Sequence, residues 1–185
     1  MDLEDLVFVT SNLDKLREAE EVLGVKLDHH ALDLPEIQSL NLEEVVRAKA
    51  RVAVERLGMP VLVEDTSLEL AGLGGFPGPL VRWLLSSVGP AGICRLASAF
   101  DETQATARCL ACAANSVTEV LGLGTVQGRI ALSPRGRKGF GWDSAFIADD
   151  AGDRTFGELS RTEKNKISHR RRAFEALRTA MQRKT

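Results

Sequence analysis

The chain has 185 residues, 44% of them hydrophobic and 27% charged, enough for one domain with a real core and no need of disulfides or a structural metal. Its 24 basic and 26 acidic residues leave a net charge of −2, which argues against a general nucleic-acid coat protein, so no stable nucleic-acid partner is expected. The odd cysteine count (Cys94, Cys109, Cys112) and the absence of a basic, apolar leader point to a reducing, cytoplasmic compartment, and no apolar run reaches the ~20 residues that cross a membrane.

Leu6 to Val9 reads as a short buried strand ending in the turn Thr10-Ser11-Asn12. A charged helix opens at Asp14, with Leu16, Ala19, Val22 and Leu23 on one side, and Gly24 ends it. Lys26 to Leu32 reads as a second strand, entering the loop Asp33-Leu34-Pro35-Glu36. The next helix, from about Leu42 to Leu57, turns Val45, Val46, Ala50, Ala53, Val54 and Leu57 inward. Gly58-Met59-Pro60 stops it. Val61-Leu62-Val63 is another buried strand, with Glu64 and Asp65 expected at its C-terminal end.

The segment Gly72–Pro79 is glycine-rich but does not match GxGxxG, and Pro77 and Pro79 block a direct run into a helix, so it reads as a rigid turn rather than a dinucleotide site. Short helices follow at Leu80–Ser87 and Pro90–Phe100. Thr103–Ala113 and Val117–Val126 form a hairpin around Asn115-Ser116, which Gly128–Leu132 extends. Cys109 and Cys112 lie on a strand three positions apart, hence on opposite faces, and no second pair completes a zinc site. Phe140-Gly141-Trp142-Asp143 falls in a loop, and a last helix carries Ile167, Phe174, Leu177 and Met181. The expected fold class is α/β, a mixed β-sheet flanked by helices, in one domain of two lobes.

Five stretches have the residue types that nucleotide chemistry needs. Thr10 to Lys15 (Thr10, Ser11, Asn12, Leu13, Asp14, Lys15) joins a strand to a helix, where free N–H groups, hydroxyls and a lysine suit a phosphate; an ordinary helix cap is the plainer alternative. Glu64-Asp65-Thr66 follows a sheet strand, and Glu36 is a candidate second carboxylate; Mg²⁺ needs only one or two such ligands beside phosphate and water. Phe140 and Trp142 offer aromatic faces to a base, with Asp143 to accept its N–H groups, although an aromatic plug in the core fits equally. Lys164 offers a cation to phosphate, and His169 and Arg170 offer donors to keto oxygens, a set that rewards a 6-keto purine over adenine. Arg161 to Arg172 holds six basic residues and one acid, and Arg129, Arg135, Arg137 and Lys138 form a second basic run; both also read as solvated surface.

The order of these segments resembles one family. Thr10-Ser11-Asn12-Leu13-Asp14-Lys15 is similar to a (T/S)xNxxK phosphate motif. Val63-Glu64-Asp65-Thr66 with Leu73-Gly74-Gly75-Phe76-Pro77-Gly78-Pro79 resembles a central signature, and Phe140-Gly141-Trp142-Asp143 and Glu163-Lys164-Asn165-x-Ile167-Ser168-His169-Arg170 resemble base-binding segments. The family is that of the inosine triphosphate (Ham1-like) pyrophosphatases, and the resemblance runs from about Val7 to Phe174.

The resemblance implies an elongated two-lobed α/β homodimer with a central substrate cleft, and Mg²⁺-dependent hydrolysis of ITP, dITP and XTP between the α- and β-phosphates. It implies Thr10 to Lys15, Lys49 and Lys164 on phosphate and Glu36 and Asp65 on the metal, with Asp65 also the candidate base. Thr66 would touch substrate, and Phe140, Gly141, Trp142, Asp143, His169 and Arg170 would form the base pocket. Three positions depart from the pattern: Arg82 stands for a common lysine, Ser67 for a glycine, which implies a different turn after Asp65, and Leu80 for a tyrosine. A pyrimidine-directed Maf-like pyrophosphatase and a nucleotide- or RNA-binding module are the competing expectations.

Overall fold

The computed structural model describes residues 1–183. The apolar run gives β1 (Val7–Val9), wholly buried. Asn12 then caps α1 (Leu13–Leu23), accepting from the Asp14 and Lys15 N–H groups, and Gly24 closes it in the left-handed region at φ 75°. β2 (Asp28–His30) is shorter than the Lys26–Leu32 expected, and all three of its side chains are exposed, while Leu27 and Leu32 on either side pack on the cores. α2 (Leu42–Leu57) is capped by Asn41 and ends at Gly58.

β3 (Val61–Leu70) corrects the sequence reading most: the strand runs on for ten residues, so Glu64, Asp65 and Thr66 lie within it rather than at its end. No turn follows Asp65. Ser67 is a fully buried strand residue whose hydroxyl donates to Glu69. A 3₁₀ turn (Ala71–Leu73) and β4 (Pro77–Gly78) follow, β4 pairing antiparallel with β3. The two short helices expected next are α3 (Val81–Ala99), broken where Gly89 takes φ 64°, ψ −179° ahead of Pro90. β5 (Gln104–Ala114) and β6 (Glu119–Ile130) form the expected hairpin, and the Asn115 N–H donates to the Thr118 carbonyl at its turn. β7 (Phe146–Ala148), α4 (Arg161–Ile167) and α5 (His169–Gln182) complete the chain.

The strand order is β2-β1-β3-β5-β6-β7, with β4 alongside β3. β1 pairs parallel with β2 and β3, and β6 antiparallel with β7, so the sheet is mixed and the fold is α/β. No helix among the described residues is long and apolar enough to cross a membrane.

The chain divides into two compact units. The first comprises Met1–Asp65, Cys109–Gly124 and the segment from Arg170 onward; the second comprises Thr66–Arg108 and Thr125–His169. In the first unit, alternate strand residues feed two cores. Phe8, Leu62, Cys109 and Ala111 pack with Ala19 and Val22 of α1 and Phe174 and Leu177 of α5. Val9, Val61, Val63, Leu110 and Cys112 pack with Val46, Ala50 and Ala53 of α2. Cys109 and Cys112 therefore face opposite sides as free, buried thiols. The second unit has one core, in which Phe146, Phe156, Trp142, Ile93 and Ile130 are central.

Candidate active site

The two-residue period of β3 decides what its acids meet. Glu64 shares its side with Leu62, toward α1 and α5; Asp65 shares its side with Val61 and Val63, toward α2. Each carboxylate finds a lysine there.

On the Glu64 side, the Lys15 ammonium lies 2.5 Å from Oε1. The Arg170 Nε donates to Oε2 at 3.2 Å, and the Cys109 thiol donates to the same oxygen at 3.3 Å. Arg170 also donates to Glu18, at 2.6 Å, and the side chains of Arg170, Glu18 and Glu64 are all at least 95% buried. Burial pushes the Glu64 carboxyl up, but the Lys15 and Arg170 charges more than reverse this and hold it well below the usual carboxylate range. Burial and the nearby Glu64 charge push the Cys109 thiol well up.

On the Asp65 side, the Lys49 ammonium donates to Asp65 at 3.0 Å and lies 3.3 Å from Glu36. Burial works against the Lys49 charge, yet the Asp65 and Glu36 carboxylates outweigh it and raise its pKa. Lys15, Lys49 and Arg170 carry three positive charges against four negative ones on Glu18, Glu36, Glu64 and Asp65, so the cluster is −1 overall. A polyanion gains from such a cluster only when a further cation accompanies it.

At the start of α1, Asn12 works as a cap: its side chain takes the Asp14 and Lys15 N–H groups, while Thr10 Oγ1 accepts from the Asn12 N–H. Ser11 and Leu13 are exposed, and Asp14 pairs with Arg17 at 3.1 Å. The side-chain donors this segment can turn to an anion include the Thr10 and Ser11 hydroxyls and the Lys15 ammonium.

In the second unit, Lys164 and Asp143 form a buried ion pair at 2.7 Å, and the Asp143 Oδ2 also accepts from the Phe140 N–H at 2.9 Å. The Lys164 ammonium stands 4.7 Å from the Phe140 ring centroid, a cation–π contact. Trp142 is a core residue, edge-on to Phe146 at 5.5 Å and stacked on His169 at 5.2 Å. His169 in turn stacks on Phe156 at 6.2 Å and is 2% exposed. Trp142 is thus the aromatic plug; Phe140 is half-buried and Gly141 exposed. Arg170 is committed to Glu18 and Glu64 in the first unit rather than presented as an open donor. Thr66 is a half-buried β3 residue, and Arg82 is exposed in the first turn of α3.

The structure brings Glu36, Lys49 and Asp65 together, and Asp143, Lys164 and Phe140 together. Sequence reasoning assigns no separate role to Glu64 and none to Glu18. Glu18 sits beside Ala19 and Val22 on the apolar side of α1, and an acid at a buried helical position implies a buried cation partner. That signal is present in the sequence, and the partner is Arg170.

Among the described residues no group of three His, Cys, Asp or Glu side chains converges as a metal site. Mg²⁺ does not require one. Glu36 and Asp65 offer only hard oxygen donors and already converge on one cationic atom, the Lys49 nitrogen, so the pair fits a hard cation whose other ligands are phosphate and water.

A sheet strand whose paired acids each meet a lysine from a flanking helix is a framework suited to a nucleotide-handling enzyme. The Ham1 family model matches residues 6–180, and the chain belongs to that family. It is 43% identical over 175 residues to inosine triphosphate pyrophosphatase 1 of Trypanosoma cruzi (strain CL Brener), covering 93% of this chain and 89% of that protein. It is 39% identical over 174 residues to a dITP/XTP pyrophosphatase of Methanopyrus kandleri, covering 92% of each. A HAM1 protein structure from Coxiella burnetii superposes with a TM-score of 0.81 at 28% identity, over 98% of this chain and 100% of that one.

Proposed function

We propose that the protein hydrolyses non-standard purine nucleoside triphosphates (ITP, dITP and XTP) to the monophosphate and pyrophosphate, removing them from the nucleotide pool. The observation that carries this is the convergence of Glu36, Lys49 and Asp65, with Lys15 held on the neighbouring Glu64, in a chain of the Ham1 family. The names of the relatives support the substrate class.

In this reading Glu36 and Asp65 hold Mg²⁺. The bound ion supplies Lewis-acid stabilisation of the charge that develops on the phosphoryl oxygens. Lys15 and Lys49 leave their carboxylate partners for the triphosphate, each exchanging one anion for another. Asp65 orients the attacking water and accepts its proton. Lys164, expected on phosphate, is held by Asp143 beside Phe140, and these three are assigned to the base, with His169 buried in the aromatic stack as support: an amide N–H of a 6-keto purine satisfies the carboxylate, and its keto oxygen satisfies the cation. Adenine presents the reverse pattern, an acceptor at N1 and a donor at the 6-amino group, and leaves both protein groups facing their own kind. Arg170 acts through Glu64 and Glu18.

A homodimer is part of the same reading, supported by an exposed Trp83 in the first turn of α3 (59% of its surface) and tested by light scattering in solution. A cytoplasmic location is proposed on the three free thiols, all buried, and no stable nucleic-acid partner on the near-zero net charge.

The test is product release from ITP, dITP, XTP, GTP and ATP with Mg²⁺, with pyrophosphate and orthophosphate assayed separately. Pyrophosphate from the first three, with little from GTP or ATP, is expected; the 6-keto contacts account for the rejection of ATP, and rejection of GTP, which has the same N1–H and O6, would have to come from its 2-amino group. Orthophosphate alone would make the protein a phosphatase, and turnover undiminished by EDTA would remove the metal from the reaction.

A further inference from the structure

Lys49 occupies the place that two acids make for a cation. Its ammonium lies 3.0 Å from an Asp65 oxygen and 3.3 Å from a Glu36 oxygen, and its side chain is 14% exposed, so little of its charge is met by solvent. The stem rises from α2 between Val46 and Ala50, both fully buried, which fixes the backbone from which it reaches. The trio carries −1 with Lys49 in place and would carry −2 without its charge.

We propose that Lys49 is the resident counter-ion of the Glu36–Asp65 pair, which a divalent cation must displace, so that Lys49 sets the metal affinity of the nucleotide-free protein. The inference rests on the metal-dependent reading above and adds an order of events to it. An ammonium and a divalent ion that share two carboxylates repel each other at a few ångströms. The free protein therefore holds metal weakly. A triphosphate changes this, because it brings oxygen ligands for the metal and a new anionic partner for the released ammonium. Metal and nucleotide are then taken up together, and the acids are never left as an uncompensated pair. Lys49 is in this respect a positioning residue as well as a phosphate ligand.

The test is Mn²⁺ binding to the nucleotide-free protein, read from the electron paramagnetic resonance signal of the free aqua ion. Wild type, Lys49→Met, Lys49→Gln, Lys49→Arg and the double variant Lys49→Met/Asp65→Asn are compared. Removing the charge is expected to tighten Mn²⁺ binding about tenfold or more. Lys49→Arg, which keeps the charge, should stay near wild type, and the added Asp65→Asn should abolish the gain. Lys49→Gln, which keeps a polar end, serves if Lys49→Met does not fold. Equal or weaker Mn²⁺ binding by the folded, charge-free variants, with Asp65→Asn still reducing it, overturns the counter-ion role and leaves the metal site standing. No Mn²⁺ binding by any nucleotide-free form also overturns the counter-ion role, while the metal dependence of turnover is decided separately by the EDTA test above.

Discussion

Glu64 and Arg170 lie 106 positions apart in the chain and meet as a buried pair at 3.2 Å, joining the middle of β3 to the first turn of α5. Lys15 closes the pair from α1. Breaking a buried pair leaves an uncompensated charge, so Glu64→Ala should cost about 3–5 kcal/mol in urea unfolding. The pH dependence has a definite sign. The folded-state pKa lies below the ordinary 4.5, so this stabilisation is complete above that value and is lost as pH falls through and below it. Glu64→Gln should accordingly flatten the acid limb of the stability curve. An acid limb as steep as wild type in the folded Gln variant would show that other carboxylates carry it.

Asp65, one residue on, is a different case. Its side chain is 18% exposed and shares Lys49 with Glu36. Asp65→Asn keeps the shape and a hydrogen-bond acceptor, so the fold should lose no more than about 1 kcal/mol, as for a partly exposed pair. Turnover of ITP should fall by roughly 10²–10⁴-fold, because the proposed proton acceptor and metal ligand go together. A native thermal transition with full ITP turnover would remove Asp65 from the chemistry.

The contrast between Glu64 and Asp65 shows where sequence reading stops. Val61-Leu62-Val63 announces a buried strand, and the polar run Glu64-Asp65-Thr66-Ser67 ends the hydrophobic pattern, so the strand is read as ending there. It continues because Lys15 and Arg170 neutralise Glu64 from α1 and α5, and that compensation is not local in sequence. Elements with local signals are legible: α2 with its Asn41 cap and Gly58 stop, the break at Gly89-Pro90, and the β5–β6 turn. β4 and β7, two and three residues long, have no periodicity to read. α4 does have a local signal, which the reading of a single last helix overlooks. Ser160 and Glu163 form a capping box, and Ser168, extended at ψ 150°, separates α4 from α5. Among the site residues, the grouping of Glu36 with Asp65 follows from chemistry, whereas the burial of Trp142 and Arg170 depends on packing.

The cysteines give a prediction independent of activity. Burial, with a contribution from the Glu119 charge, pushes the Cys112 thiol up to about 12, and burial raises Cys109 and Cys94 as well. The thiolate is the reactive form, so at pH 8 all three thiols should resist a disulfide reagent such as Ellman's in the native protein and react promptly in guanidinium. Stoichiometric labelling of a native thiol within minutes would mean that the core around it opens on that timescale.

Gly139 is the sharpest steric constraint near the proposed base-recognition residues. It adopts φ 75°, and a Cβ there would collide with Asp143 Oδ2. That oxygen is not free to yield, because it accepts from the Phe140 N–H and from the Lys164 ammonium. Gly139→Ala therefore combines left-handed backbone strain with displacement of a buried carboxylate from its cation, at an expected cost of about 1–3 kcal/mol. If Asp143 and Lys164 recognise the base, the ITP-to-ATP ratio of kcat/KM should fall together with the stability. Gly152 also has a positive φ, 65° with ψ −122°, a conformation that strains alanine, but a Cβ added there would meet nothing within 4 Å, so Gly152→Ala bears backbone strain without the clash and supplies the control. Discrimination lost in Gly139→Ala and kept in Gly152→Ala ties specificity to the Asp143–Lys164 pair; equal discrimination in both variants and wild type would separate that pair from base recognition.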